Sequence, residues 1–146
     1  MRGLSRSALV PYSPGEMYAL VDGIETYPEF LPWCSGSEVH ERQKRQVKAS
    51  IELSRAGISK SFTTLNQNVL AESIQVSLVS GPFKKLDGSW LFHTLGESAC
   101  KVEFKVNFEF SSSLLARVFG PVFEDTCNSL VDAFVRRAEV VYGKRL

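Results

Sequence analysis

Lys101-Val102-Glu103-Phe104-Lys105-Val106-Asn107-Phe108-Glu109-Phe110 alternates apolar and polar residues without a break. Successive side chains of a β-strand leave opposite faces. Val102, Phe104, Val106, Phe108 and Phe110 therefore share one side, and Lys101, Glu103, Lys105, Asn107 and Glu109 the other. Such a stretch predicts an antiparallel sheet, buried on one face and wet on the other. The same alternation recurs upstream at Val47, Ala49, Ile51 and Leu53, at Ile58, Phe62 and Thr64, and at Ile74, Val76 and Leu78. Trp90 and Phe92 open a further strand, with Gly57, Gly81-Pro82 and Asp87-Gly88 read as turns.

Downstream the period lengthens. Leu115, Val118, Phe119, Val122, Thr126, Leu130, Phe134, Ala138 and Val141 recur every three or four residues, the stripe of a long amphipathic helix ending near Gly143. Pro121 cannot donate a backbone hydrogen bond to Arg117, so a kink or break is predicted there. At the other end, Ser5 to Val10 reads as a strand stopped by Pro11. Ser13-Pro14-x-Glu16 has the form of a capping box with proline at the first helical position, and Gly23 closes that short helix. Between Pro28 and Pro32 no more than one helical turn fits, which leaves Tyr27, Phe30, Leu31 and Trp33 on a stiff apolar loop. Strands followed by a helix define an α+β chain, and nothing in residues 1–146 suggests a second domain. Sheet and long helix enclose a space, and its filling decides the function.

The composition agrees. Of 146 residues, 44% are hydrophobic, which excludes disorder, and the net charge of +1 excludes a generally cationic nucleic-acid binder. No secretory leader and no membrane-spanning run is present in the sequence. Cys34, Cys100 and Cys127 are few and scattered, so reduced thiols in the cytoplasm are expected.

Catalytic patterns are missing. The two histidines, His40 and His93, form no metal-ligand spacing, and there is no nucleophile elbow, P-loop or dinucleotide fingerprint. His93 has the parity opposite to Trp90 and Phe92 and is expected to face solvent. Glu124 and Asp125 diverge around a helix and cannot act on one substrate as a pair. No catalytic residue and no metal is therefore expected.

Two features could bind rather than react. Tyr27, Phe30, Leu31 and Trp33 form either a lid over the core or the mouth of an apolar pocket; Phe62, Trp90, Phe92, Phe104 and Val122 are then core or pocket wall. Charge is also uneven along the chain. Ser7 to Glu41 holds six acids and no Lys or Arg, whereas Arg42, Lys44, Arg45, Lys48, Arg55 and Lys60 follow with only Glu52 among them. These cations, with Lys84-Lys85 placed on a turn, are either solvated hairpin tips or a face for the phosphates of RNA or lipid headgroups.

Four stretches carry a family resemblance: Tyr27-Pro28-Glu29-Phe30-Leu31-Pro32-Trp33-Cys34; Ala56 to Thr64; Gly81-Pro82-Phe83-Lys84-Lys85-Leu86-Asp87-Gly88-Ser89-Trp90-x-Phe92; and Ala133-Phe134 with Arg137-Ala138 and Val141-Tyr142. From Ser5 to Tyr142 the chain resembles the coenzyme-Q-binding START-like family, and within it the short bacterial ribosome association toxins. The resemblance implies a helix-grip fold, a curved antiparallel sheet wrapped around a long C-terminal helix with an apolar cavity between. It implies two roles. One is holding a ubiquinone-like isoprenoid or other apolar lipid in support of respiration, with Tyr27, Phe30, Leu31, Trp33, Phe62, Trp90, Phe92, Phe104 and Val122 as ligand contacts. The other is binding the large ribosomal subunit and blocking subunit joining and so translation initiation. Arg42, Lys44, Arg45, Lys48, Lys60, Lys84 and Lys85 would then contact rRNA, or touch a membrane surface transiently. Some START-like relatives cyclise polyketides; an enzyme here would need His93 or Glu103 to point into the cavity. No required cofactor is implied, only a ubiquinone-like lipid as ligand.

Overall fold

The computed structural model describes residues 2–145. Its elements run β1 (Arg2–Val10), α1 (Pro14–Asp22), a 3₁₀ helix (Ile24–Glu29), β2 (Cys34–Gln43), β3 (Gln46–Arg55), β4 (Ile58–Val69), β5 (Ser73–Ser80), β6 (Phe83–Gly96), β7 (Ala99–Phe110), α2 (Ser113–Val118) and α3 (Gly120–Tyr142). The strands form one antiparallel sheet in the order β1-β7-β6-β5-β4-β3-β2. Only β1 leaves the sequential meander, pairing with β7, because the chain detours through α1 and the 3₁₀ helix before β2. The alternation over residues 101–110 is real: Val102, Phe104, Val106 and Phe108 are buried, while Lys105 and Asn107 are exposed.

The predicted break at Pro121 is present. Two helices replace one: Phe119 ends α2, and Pro121 sits in the first turn of α3, where its missing N–H costs nothing. Two residues of the expected stripe are exposed rather than buried. α2 buries no residue, so Val118 is exposed along with Leu114, and Val141 is exposed in the last turn of α3.

α1 begins as its sequence requires. The Ser13 hydroxyl accepts from the Glu16 N–H at 3.1 Å, and the Glu16 carboxylate accepts from the Ser13 N–H at 2.9 Å. Arg145 completes a latch, donating to both Glu16 carboxylate oxygens at 2.8 and 3.0 Å. The Tyr12 hydroxyl donates to the Gly143 carbonyl and the Tyr142 hydroxyl to the Glu16 carbonyl, each at 2.8 Å. The far end of α3 is thereby tied to α1.

Two turn assignments are corrected. Asp87-Gly88 lies inside β6, Gly88 opposite Val76 of β5 and Val106 of β7. Paired neighbours on both sides hold the dipeptide extended, overriding its local turn tendency. Trp90 and Phe92 therefore sit mid-strand rather than at a strand start. Lys84 and Lys85 belong to β6 too, at a bulge between Phe83 and Lys85. Gly81-Pro82 is a genuine turn: Gly81 has φ +148°, and a Cβ there would stand 2.6 Å from the Phe62 Cβ.

Candidate ligand cavity

The inner sheet face and α3 enclose a cavity of about 110 Å³. One wall is strands: Leu53, Phe62, Leu86, Trp90, Phe104 and Val106. α3 supplies Phe123, Thr126, Cys127, Leu130 and Phe134, and the segment after α1 supplies Ile24, Tyr27, Leu31 and Cys34. Gly88 leaves part of this room: a Cβ there would meet the Lys105 carbonyl at 3.1 Å and Val106 at 3.6 Å. Phe134 is the hub. Its ring is edge-on to Tyr27, Phe30 and Trp90 at centroid distances of 5.6, 5.3 and 5.3 Å.

Of the residues expected to touch a ligand, Tyr27, Leu31, Phe62, Trp90 and Phe104 line the cavity. Phe30, Trp33, Phe92 and Val122 lie outside its walls, each for a local reason. Phe30 stands behind Phe134, with the Arg137 guanidinium 4.9 Å from its ring. Trp33 has φ +66° and is exposed; its ring lies under the Arg55 guanidinium at 4.4 Å. Arg55 also pairs with Asp125, so loop, β3–β4 hairpin and α3 are joined at that point. Phe92 lies two residues beyond Trp90, edge-on to Tyr18 of α1 at 5.8 Å. Val122 is buried beside the cavity, and the next residue round the helix, Phe123, faces it.

The walls contain no His, Asp, Glu, Lys or Arg. His93 and Glu103, whose inward orientation would have meant an enzyme, stand on the outer face 3.9 Å apart, the His93 side chain about half exposed. The wall's acidic hydrogens are held back by burial. The Tyr27 hydroxyl donates to the Val21 carbonyl, and desolvation raises its pKa above the usual phenol range. Cys34, Cys100 and Cys127 are free, buried thiols whose pKa values burial also raises, that of Cys100 to about 11. Among the described residues no group of three or more His, Cys, Asp or Glu could hold a metal, and no helix is long and apolar enough to cross a membrane.

Polar residues that the sequence reading passed over also enter the cavity. The inner row of β4 is Phe62, Thr64, Asn66 and Asn68, and the last three are buried. Thr64 and Asn66 line the hollow, the Thr64 hydroxyl donating to the Asn66 Oδ1 at 3.1 Å. The signal was available as Thr-x-Asn-x-Asn on the apolar parity of a strand.

The seven expected phosphate-contacting cations do not form one face. Strand register puts Arg42, Lys44, Arg45 and Lys48 toward one end of the sheet, and Lys60, Lys84 and Lys85 toward the other. Arg42 is engaged by Asp22 and Glu25, both at 3.1 Å, and Lys84 pairs with Glu109 at 3.5 Å. Lys48 is the cross-strand partner of Glu41. Arg42 and Lys48 of the basic segment thus stand beside acids of the segment before it.

Sheet, kinked C-terminal helices and enclosed hollow define the START-like helix-grip class. The chain belongs to the family described as polyketide cyclase / dehydrase and lipid transport, which matches residues 10–135. It is 51% identical to the ribosome association toxin RatA of Vibrio cholerae over 144 residues, covering 99% of this chain and 100% of that one. It is 25% identical to the mitochondrial coenzyme Q-binding protein COQ10 homolog B of Xenopus laevis, covering 97% of this chain and 59% of that protein. Among solved structures, the 18 kDa protein CC1736 of Caulobacter crescentus matches with a TM-score of 0.76 and 29% identity over 99% of this chain and 100% of that one. A START superfamily protein of Mycobacterium smegmatis shares the fold, with a TM-score of 0.79 at 19% identity over 95% of this chain and 98% of that one.

Proposed function

We propose that this chain is a non-catalytic binding protein directed to the large ribosomal subunit in the cytoplasm, and that it hinders subunit joining by occupying that subunit. The observation that carries the proposal is the 51% identity to a ribosome association toxin, extending over 99% of this chain and all of that one. A cavity wall without a charged side chain or histidine supports binding rather than catalysis. The contact with rRNA is made by one cationic end of the sheet, Lys60, Lys84 and Lys85 or Lys44 and Arg45. Co-sedimentation with purified large subunits tests it. Three phosphate contacts predict a loss of more than about tenfold between 50 and 200 mM salt. Lys60→Glu/Lys84→Glu/Lys85→Glu or Lys44→Glu/Arg45→Glu, but not both, should release the protein. A wild-type chain that stays at the top of the gradient in low salt defeats the proposal.

A second reading concerns the interior, and the enclosed apolar hollow favours it. There the chain holds part of a ubiquinone-like isoprenoid or other apolar lipid, gaining ~25 cal/mol per Å² of apolar surface removed from water. About 110 Å³ is below the few hundred Å³ usual for drug-sized ligands, so a ring or a short tail segment fits unless the walls part. Mass spectrometry of an organic extract of the native protein tests this; a stoichiometric isoprenoid supports it, and a ligand-free extract after lipid loading counts against it.

A further inference from the structure

Asn66 is the one side-chain amide in the cavity wall. Its side chain projects from the inner face of β4, between Val47 of β3 and Val76 of β5, and only 9% of the residue is exposed. Its Oδ1 is occupied by the Thr64 hydroxyl. Its Nδ2 donates to no group among the described residues, although it carries two hydrogens.

Four other donors of the wall are committed. The Thr64 hydroxyl gives its hydrogen to Asn66, and the Thr126 hydroxyl donates to the Val122 carbonyl at 2.9 Å. The Tyr27 hydroxyl donates to the Val21 carbonyl, and the Cys34 thiol to the Gly36 carbonyl at 3.5 Å. What remains is a weak Cys127 thiol, the single indole N–H of Trp90 and the amide of Asn66, which alone offers two hydrogens. An amide held in apolar surroundings without a partner is costly, and the cost is recovered when an acceptor arrives.

We propose that Asn66 is the residue that orients and selects the cavity ligand, and that the ligand is an apolar molecule bearing a carbonyl-type acceptor oxygen, to which the Asn66 Nδ2 donates. This rests on the reading that the cavity takes an apolar ligand. A plain hydrocarbon leaves the amide unpaired and is discriminated against; a quinone, ketone or ester carbonyl satisfies it.

The test is a competition measured by native mass spectrometry, using decylubiquinone and decylbenzene as probes with the same tail and different rings. The wild-type protein should prefer the quinone by at least about tenfold, the value of one hydrogen bond to a buried donor. Asn66→Leu should lower quinone affinity about tenfold while leaving decylbenzene unchanged or tighter. Asn66→Val, whose branched side chain suits a strand, serves if the leucine variant does not fold. Thr64→Val, which leaves the amide in place, should keep the preference for the quinone. If the wild type binds the quinone and both Asn66 variants bind it equally well, the assignment to Asn66 is overturned while the cavity remains a ligand site. If the wild type binds neither probe, the cavity reading itself falls, and the selectivity proposal with it.

Discussion

Replacing Phe134 with alanine tests whether the hollow is a closed, packed feature of the fold. The ring is fully buried, lines the cavity, and makes edge contacts with Tyr27, Phe30 and Trp90. Three contributions are lost together. Burial of a side chain of this size is worth ~2–3 kcal/mol. Each aromatic pair adds ~0.5–1.5 kcal/mol. The vacated space, which joins an existing cavity of about 110 Å³, cannot fully collapse. Buried Phe→Ala replacements cost ~3–5 kcal/mol, and the expectation here is about 4. With a urea slope near ~2 kcal/mol/M, the midpoint should fall by about 2 M at an unchanged slope. Phe134→Leu refills most of the volume but loses all three ring pairs, and should cost about 2 kcal/mol, well short of the alanine loss. A loss below about 1 kcal/mol for Phe134→Ala would show that the ring does not hold sheet, α3 and the aromatic loop together, and the cavity geometry would have to be abandoned.

Three further expectations follow from particular contacts. Arg145 and the Ser13 N–H pull the Glu16 carboxyl down to about 2 from an ordinary value near 4.5. The group is depressed, so its stabilisation is complete above about pH 4.5 and is lost as pH falls toward 2; Arg145→Gln should flatten that part of the urea-midpoint profile, and an unchanged profile would refute the latch. Cys34, Cys100 and Cys127 are buried with raised pKa values, so a thiol reagent at pH 8 should label none of them in the native protein and all three in urea; rapid native labelling would contradict the burial. Arg55→Ala removes the contacts that join the Trp33 loop to α3, both partly exposed, and should change stability by less than about 1 kcal/mol while speeding release of a bound apolar probe in stopped-flow; an unchanged release rate would show that these contacts do not guard the cavity.

The sheet, the capped α1 and the break at Pro121 were legible because each rests on local chemistry: alternation over ten residues, a capping box, and a missing amide hydrogen. Asp87-Gly88 misled because a turn-forming dipeptide has no vote when Val76 and Val106 hold it in register on both sides. The cavity wall was half legible. Core and wall have the same composition, and only tertiary placement separates Phe104, which lines the hollow, from Phe92, which packs under α1. Asn66 was overlooked because a buried polar residue on an apolar strand face resembles an interruption until the space before it is seen. Charge along the chain was misleading in the same way: strand order brings Arg42 back to Asp22 and Glu25, so a linear excess becomes a local balance.

The proposed activity is binding of the large ribosomal subunit. It is tested most directly by letting purified subunits reassociate on a sucrose gradient with and without equimolar protein. The peak of intact ribosomes should shrink, and the protein should travel with the free large subunit. A full peak of intact ribosomes, with all of the protein remaining at the top of the gradient, would contradict it.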